Sequence, residues 1–153
     1  MSVSRFAGYY KVDVGLPDAP AGMRIMAVTD INNDKLNDLV TVDNTAQTVT
    51  VYYYDDVVQK YTRESSYDFK DGWSIDSVIP SPTTSGLQDL ICVVSKHDGG
   101  ELQTKLQYVA QRDSGGSGMA ASQYTWELDP KNDLNDLKIF PGTQPMTLDV
   151  DGD

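Results

Sequence analysis

The chain reads as all-β, and three observations carry that reading. Its apolar residues fall in short β-branched and aromatic runs separated by tight polar connections. No stretch combines a helical period with capping residues. The second half also repeats the first. Ile75-Asp-Ser-Val-Ile-Pro-Ser-Pro-Thr-Thr-Ser-Gly-Leu-Gln-Asp-Leu-Ile-Cys-Val-Val aligns without a gap on the segment ending Asn37-Asp-Leu-Val-Thr-Val, at an offset of 51 residues. Repeats of that period mark propellers or solenoids.

Phe6, Tyr10, Val12 and Val14 alternate with small or polar residues and predict an opening strand over 4–15. Leu16 to Gly22 carries two prolines and a glycine and reads as a loop. Strands are expected at 24–29, 38–43, 48–54 and, more weakly, 59–69, with a turn at Asn44-Thr-Ala-Gln. The repeat places two more near 75–80 and 88–95, and further strands are expected near 103–111 and 122–128. Arg112 to Ser122 is Gly/Ser-rich and reads as a mobile insertion. A last strand near 145–149 opens a third copy, and the sequence stops inside the loop that follows, as expected of a fragment.

At 153 residues, with 39% hydrophobic and 9% aromatic content, the chain can bury a core. A net charge of −11 speaks against nucleic acid, since no basic stripe exists to displace counterions from phosphates. The single cysteine, Cys92, lies in an apolar run and reads as a buried small hydrophobe. No apolar run approaches the ~18 residues of a membrane span. The N-terminal residues lack the apolar core of a signal peptide.

The stretch with chemistry in it is Asp30-Ile-Asn-Asn-Asp34-Lys-Leu-Asn-Asp38. Oxygen-bearing side chains occupy loop positions one, three, five and nine (Asp30, Asn32, Asp34, Asp38), and position seven, Leu36, can add its carbonyl. Ca²⁺ takes about six to eight oxygen ligands, and odd spacing turns alternate side chains inward. An EF-hand would continue with a helix and a Glu at position twelve, but Thr41 stands there in a β-branched run. The unit is therefore strand, cation loop, strand, and a solvated acidic turn is the plainer alternative. Asp149, Asp151 and Asp153 repeat positions one, three and five without a ninth. In the middle copy, Ser81, Thr83, Ser85 and Asp89 stand at the ligand positions; one carboxylate against three predicts no metal there. Asp129 to Asp136 mimics such a loop, but Lys131 and Leu137 fall at ligand positions, so it reads as a turn. His97 reads as an ordinary surface residue, and Tyr52–Tyr54 as core and sheet surface. No Ser/His/Asp set, phosphate loop or Cys/His cluster is present, so no enzyme activity is expected.

Ala27-Val-Thr-Asp-Ile-Asn-Asn-Asp-Lys-Leu-Asn-Asp-Leu, Leu128-Asp-Pro-Lys-Asn and Gln144-Pro-Met-Thr-Leu-Asp-Val-Asp-Gly-Asp resemble the FG-GAP repeat of integrin α-subunit propellers, and more narrowly the T-cell immunomodulatory protein family. The resemblance implies part of a seven-bladed, calcium-stabilised β-propeller, with blades over about 24–70 and 74–129 and a third starting near 144–153. Residues 1–15 would then belong to a neighbouring or closing blade. It also implies an extracellular or cell-surface adhesion module that binds a protein partner, anchored only through a segment outside this chain. The sequence departs from the pattern at Lys35, where most such loops have glycine for a positive φ, a substitution worth ~1 kcal/mol of strain. A carbohydrate-binding or accessory module of a secreted enzyme is the alternative, since tyrosine-rich surfaces stack on sugars.

Overall fold

The computed structural model describes residues 3–6, 9–12, 22–113 and 124–142. These residues form an all-β structure without helix. A short antiparallel hairpin, β1 (Val3–Phe6) with β2 (Tyr9–Val12), stands where one opening strand is expected. Sheet one is an antiparallel meander of β3 (Met23–Thr29), β4 (Asp38–Asp43), β5 (Thr48–Asp55) and β6 (Lys60–Asp68). Sheet two repeats it with β7 (Ser74–Pro82), β8 (Gln88–Asp98), β9 (Glu101–Asp113) and β10 (Tyr124–Leu128). Each lies where the apolar runs place it, because β-branched residues fit a pleated, half-buried surface. Arg112 belongs to β9, paired with Thr125, and not to an insertion; residues 114–123 lie outside the described set.

One strand has no counterpart in the sequence reading. β11 (Lys138–Ile139) pairs with Lys105 and Thr104 of β9, on the edge that β10 leaves free further along. The connection from Asp129 to Leu137 carries the chain there, held by Asn135 Oδ1 accepting from Tyr108 N–H at 2.7 Å and by paired bonds between the Leu106 backbone and residues 136–137.

The second strand of each sheet is buried on both faces, so β4 and β8 read as nearly continuous apolar runs. Val40, Val42, Val49, Val51 and Tyr53 on one face of sheet one meet Leu90, Cys92, Val94, Val109 and Trp126 of sheet two in a single core. In the repeat alignment Val40 and Val42 correspond to Ile91 and Val93, which lie on the opposite face of sheet two. The sheets therefore stack head to tail, with unlike faces in contact. Ile91, Val93 and Leu106 form a second cluster, against which Leu134 and Ile139 of the final connection pack. The outer face of sheet one leaves Ile25 and Val28 more than half exposed.

Candidate metal centre

The Asp30–Asp38 loop links β3 to β4 and is built by its own acids. Asp30 Oδ1 accepts from Asp34 N–H at 3.1 Å and Oδ2 from Lys35 N–H at 2.8 Å. Asn32 Oδ1 accepts the same Asp34 N–H at 3.3 Å, while its amide nitrogen donates to Asp34 Oδ2 at 3.0 Å. Asp34 Oδ1 accepts from Leu36 N–H at 2.9 Å. These local bonds bend the backbone tightly enough to put Asn33 and Lys35 at φ 63° and 70°. The expectation of a left-handed backbone at Lys35 thus holds, and a side chain stands where glycine would carry no strain. Ile31, at the second loop position, is fully buried and pins the loop to the core.

Asp38 has a different part. It is fully buried, on the same face as Val40 and Val42. Its Oδ2 accepts from Ile31 N–H at 2.9 Å and its Oδ1 from Tyr54 N–H at 3.0 Å, so it ties the loop to the third strand of the sheet. Burial pushes its carboxyl up to about 6, and the charges of Asp34 and Asp30 push the same way against the two backbone donors.

The donor set is oxygen only, which suits a hard cation in chemistry. Asp30, Asn32, Asp34, the Leu36 carbonyl and Asp38 are the groups that would hold Ca²⁺, and the ion would supply the positive charge that the carboxylates lack. The structure joins Asp30, Asn32 and Asp34 through shared hydrogen bonds and ties Asp38 to the loop through the Ile31 N–H. Among the described residues, no three His, Cys, Asp or Glu side chains converge as at a metal site. Asp149, Asp151 and Asp153 lie outside the described residues.

The second loop is shorter than the repeat alignment implies. Ser81 pairs with Asp89 where Thr29 pairs with Asp38, and β7 runs on through Pro82. Ser81 is thus a strand residue, not the first position of a loop. Pro80 and Pro82 are tolerated there because β7 is an edge strand. Asp89 repeats the role of Asp38 by accepting from Gln111 N–H at 2.8 Å. Its other oxygen accepts from the Tyr108 hydroxyl at 2.7 Å. Pro82 stands at the Ile31 position of the alignment and has no N–H to offer. Ser85 and Thr83 share a hydrogen bond of 2.8 Å within this loop.

The other candidates settle simply. Asp129 to Asp136 is a turn, with Lys131 N–H on Asp129 Oδ1 at 3.0 Å and Leu134 N–H on Asn132 Oδ1 at 2.9 Å. His97 is exposed at the end of β8, beside a shallow cleft with Asp76, Ser95 and Lys96. The Ser95 hydroxyl is bonded to Asp76 and Thr104. Cys92 is fully buried. Tyr53 is core, whereas Tyr52 and Tyr54 are half-buried.

Sequence reasoning missed Gln88. Its N–H donates to Ile31 O at 2.9 Å and its amide nitrogen to Asp30 O, so sheet two grips the first loop. A signal was present: an amide residue precedes each buried acid, Asn37 before Asp38-Leu39 and Gln88 before Asp89-Leu90. Comparison with family models, with curated proteins and with solved structures finds no match for this chain.

Proposed function

We propose that the two sheets are consecutive blades of a β-propeller and that the chain is a non-catalytic, calcium-stabilised module for extracellular or cell-surface protein–protein interaction. Head-to-tail stacking supports the propeller reading. When unlike faces of successive repeats meet, the same contact can recur around an axis until the ring closes. β3 lies against β7 and β6 against β10, so like strands stay in register from one sheet to the next.

The observation that carries the cation reading is the nine-residue loop that sets the charges of Asp30 and Asp34 near enough to the buried Asp38 carboxyl to oppose its ionisation. A bound cation would remove that resistance and let the ion's binding energy add to folding. Its role is structural, fixing the β3–β4 connection. The hairpin tip after β5 lies at the same end of the sheets and presents Val57 at 87% and Val58 at 52% exposure, a surface suited to a protein partner.

Terbium luminescence and calorimetric melting test the reading together. The wild-type chain is expected to bind Tb³⁺ competitively with Ca²⁺ and to melt higher in calcium than in EDTA. Asp34→Asn is expected to lose at least tenfold in affinity while keeping its β circular dichroism. A melting temperature indifferent to calcium and EDTA would overturn the proposal.

A further inference from the structure

We propose that sheet two is the template that holds the Asp30–Asp38 loop in its folded shape, with Gln88 as the positioning residue, so that cation capture by sheet one is coupled to docking of sheet two. The coupling to a cation rests on the reading given above; the templating of the loop does not.

One peptide unit carries the argument. The Ile31 N–H of the Asp30–Ile31 peptide donates to buried Asp38 Oδ2 at 2.9 Å. The Asp30 carbonyl of the same unit accepts from the Gln88 side-chain amide, which also lies 3.4 Å from the Thr29 hydroxyl. A peptide is planar and trans, so fixing its C=O fixes the opposite direction of its N–H. Gln88 thereby sets the plane that presents Ile31 N–H to Asp38. The next carbonyl, Ile31 O, accepts from Gln88 N–H at 2.9 Å. Gln111 completes the clamp: in the amide orientation that satisfies both its ends, Nε2 donates to Ile31 O at 3.1 Å and Gln88 O at 3.0 Å, and Oε1 accepts from the Tyr53 hydroxyl at 3.1 Å.

The far side of the loop is seated as closely. A Cβ at Gly86 would come 2.6 Å from Asn33 Nδ2, and Gly86 has φ +84°. Only glycine allows both the turn and the approach. The Asp30 and Ile31 carbonyls of the loop thus both face Gln88, more than 50 residues later in the chain. Asn37, which stands in sheet one where Gln88 stands in sheet two, is exposed.

The test uses the full 153-residue chain. Gln88→Met keeps the length of the side chain and removes its donor. Asn44→Ala is the control, because Asn44 joins the sheets at the opposite end, through Ile75 N–H at 2.8 Å and Ile75 O at 3.0 Å. Amide hydrogen exchange is followed in EDTA, and terbium affinity separately. Gln88→Met is expected to speed exchange of the Ile31, Asp34, Lys35 and Leu36 amides about tenfold relative to those of β5, and to weaken Tb³⁺ binding about tenfold. Asn44→Ala is expected to leave the loop amides unchanged. Loop exchange unaltered in Gln88→Met, or accelerated equally by Asn44→Ala, overturns the proposal. Faster loop exchange in a chain whose wild type takes up no terbium upholds the templating and refutes the cation reading alone.

Discussion

Asp38→Asn removes one titrating proton from a buried site without changing its shape, and the result is fixed by sign. The folded carboxyl titrates near 6 because burial, then Asp34 and Asp30, oppose its charge, whereas an unfolded Asp titrates at 3.8. A raised carboxyl contributes stability that is full below the unfolded value and is lost as pH rises toward the folded one. Between pH 4.5 and 7.5 that loss comes to about 2 kcal/mol out of a limiting ~3 kcal/mol. Asparagine does not titrate, so the wild type is expected to gain about 2 kcal/mol over Asp38→Asn on going from pH 7.5 to 4.5 in EDTA. Urea unfolding of both proteins at the two pH values measures this, since the other carboxylates are common to both and cancel. Saturating calcium should erase the gain, because a cation favours the ionised carboxyl. A wild-type-to-variant difference equal at both pH values in EDTA would refute the placement of Asp38 as a buried, crowded acid.

Two further outcomes follow from single positions. Lys35 sits at φ 70° with its side chain exposed, so Lys35→Gly should raise stability by about 1 kcal/mol, seen as a higher melting temperature in EDTA. Cys92 is fully buried and burial pushes its thiol up, so a thiol-reactive probe should label it only at the rate of global opening and at once in urea.

The sequence by itself determined the strands. Thr48-Val-Thr-Val-Tyr-Tyr-Tyr and Asp89-Leu-Ile-Cys-Val-Val declare themselves because β preference and two-residue alternation are local properties of a run. The internal repeat paired Asp38 with Asp89 before any contact was visible, and the glycine position occupied by Lys35 foretold its positive φ. Tertiary structure decided the rest. Asp38 reads as a ligand in sequence, and only the fold adds that each of its oxygens accepts a backbone N–H, one of them from a residue 16 positions away. Ser81 left the second loop for β7, because pairing with Asp89, not alignment, sets where a strand ends. β11 is two residues long, too short for a pattern, and exists only because β9 had an edge to pair. The hold of Gln88 on Asp30 spans 58 residues and depends on which faces of two sheets meet. That choice follows from packing two buried surfaces against each other, and no local run of residues encodes it.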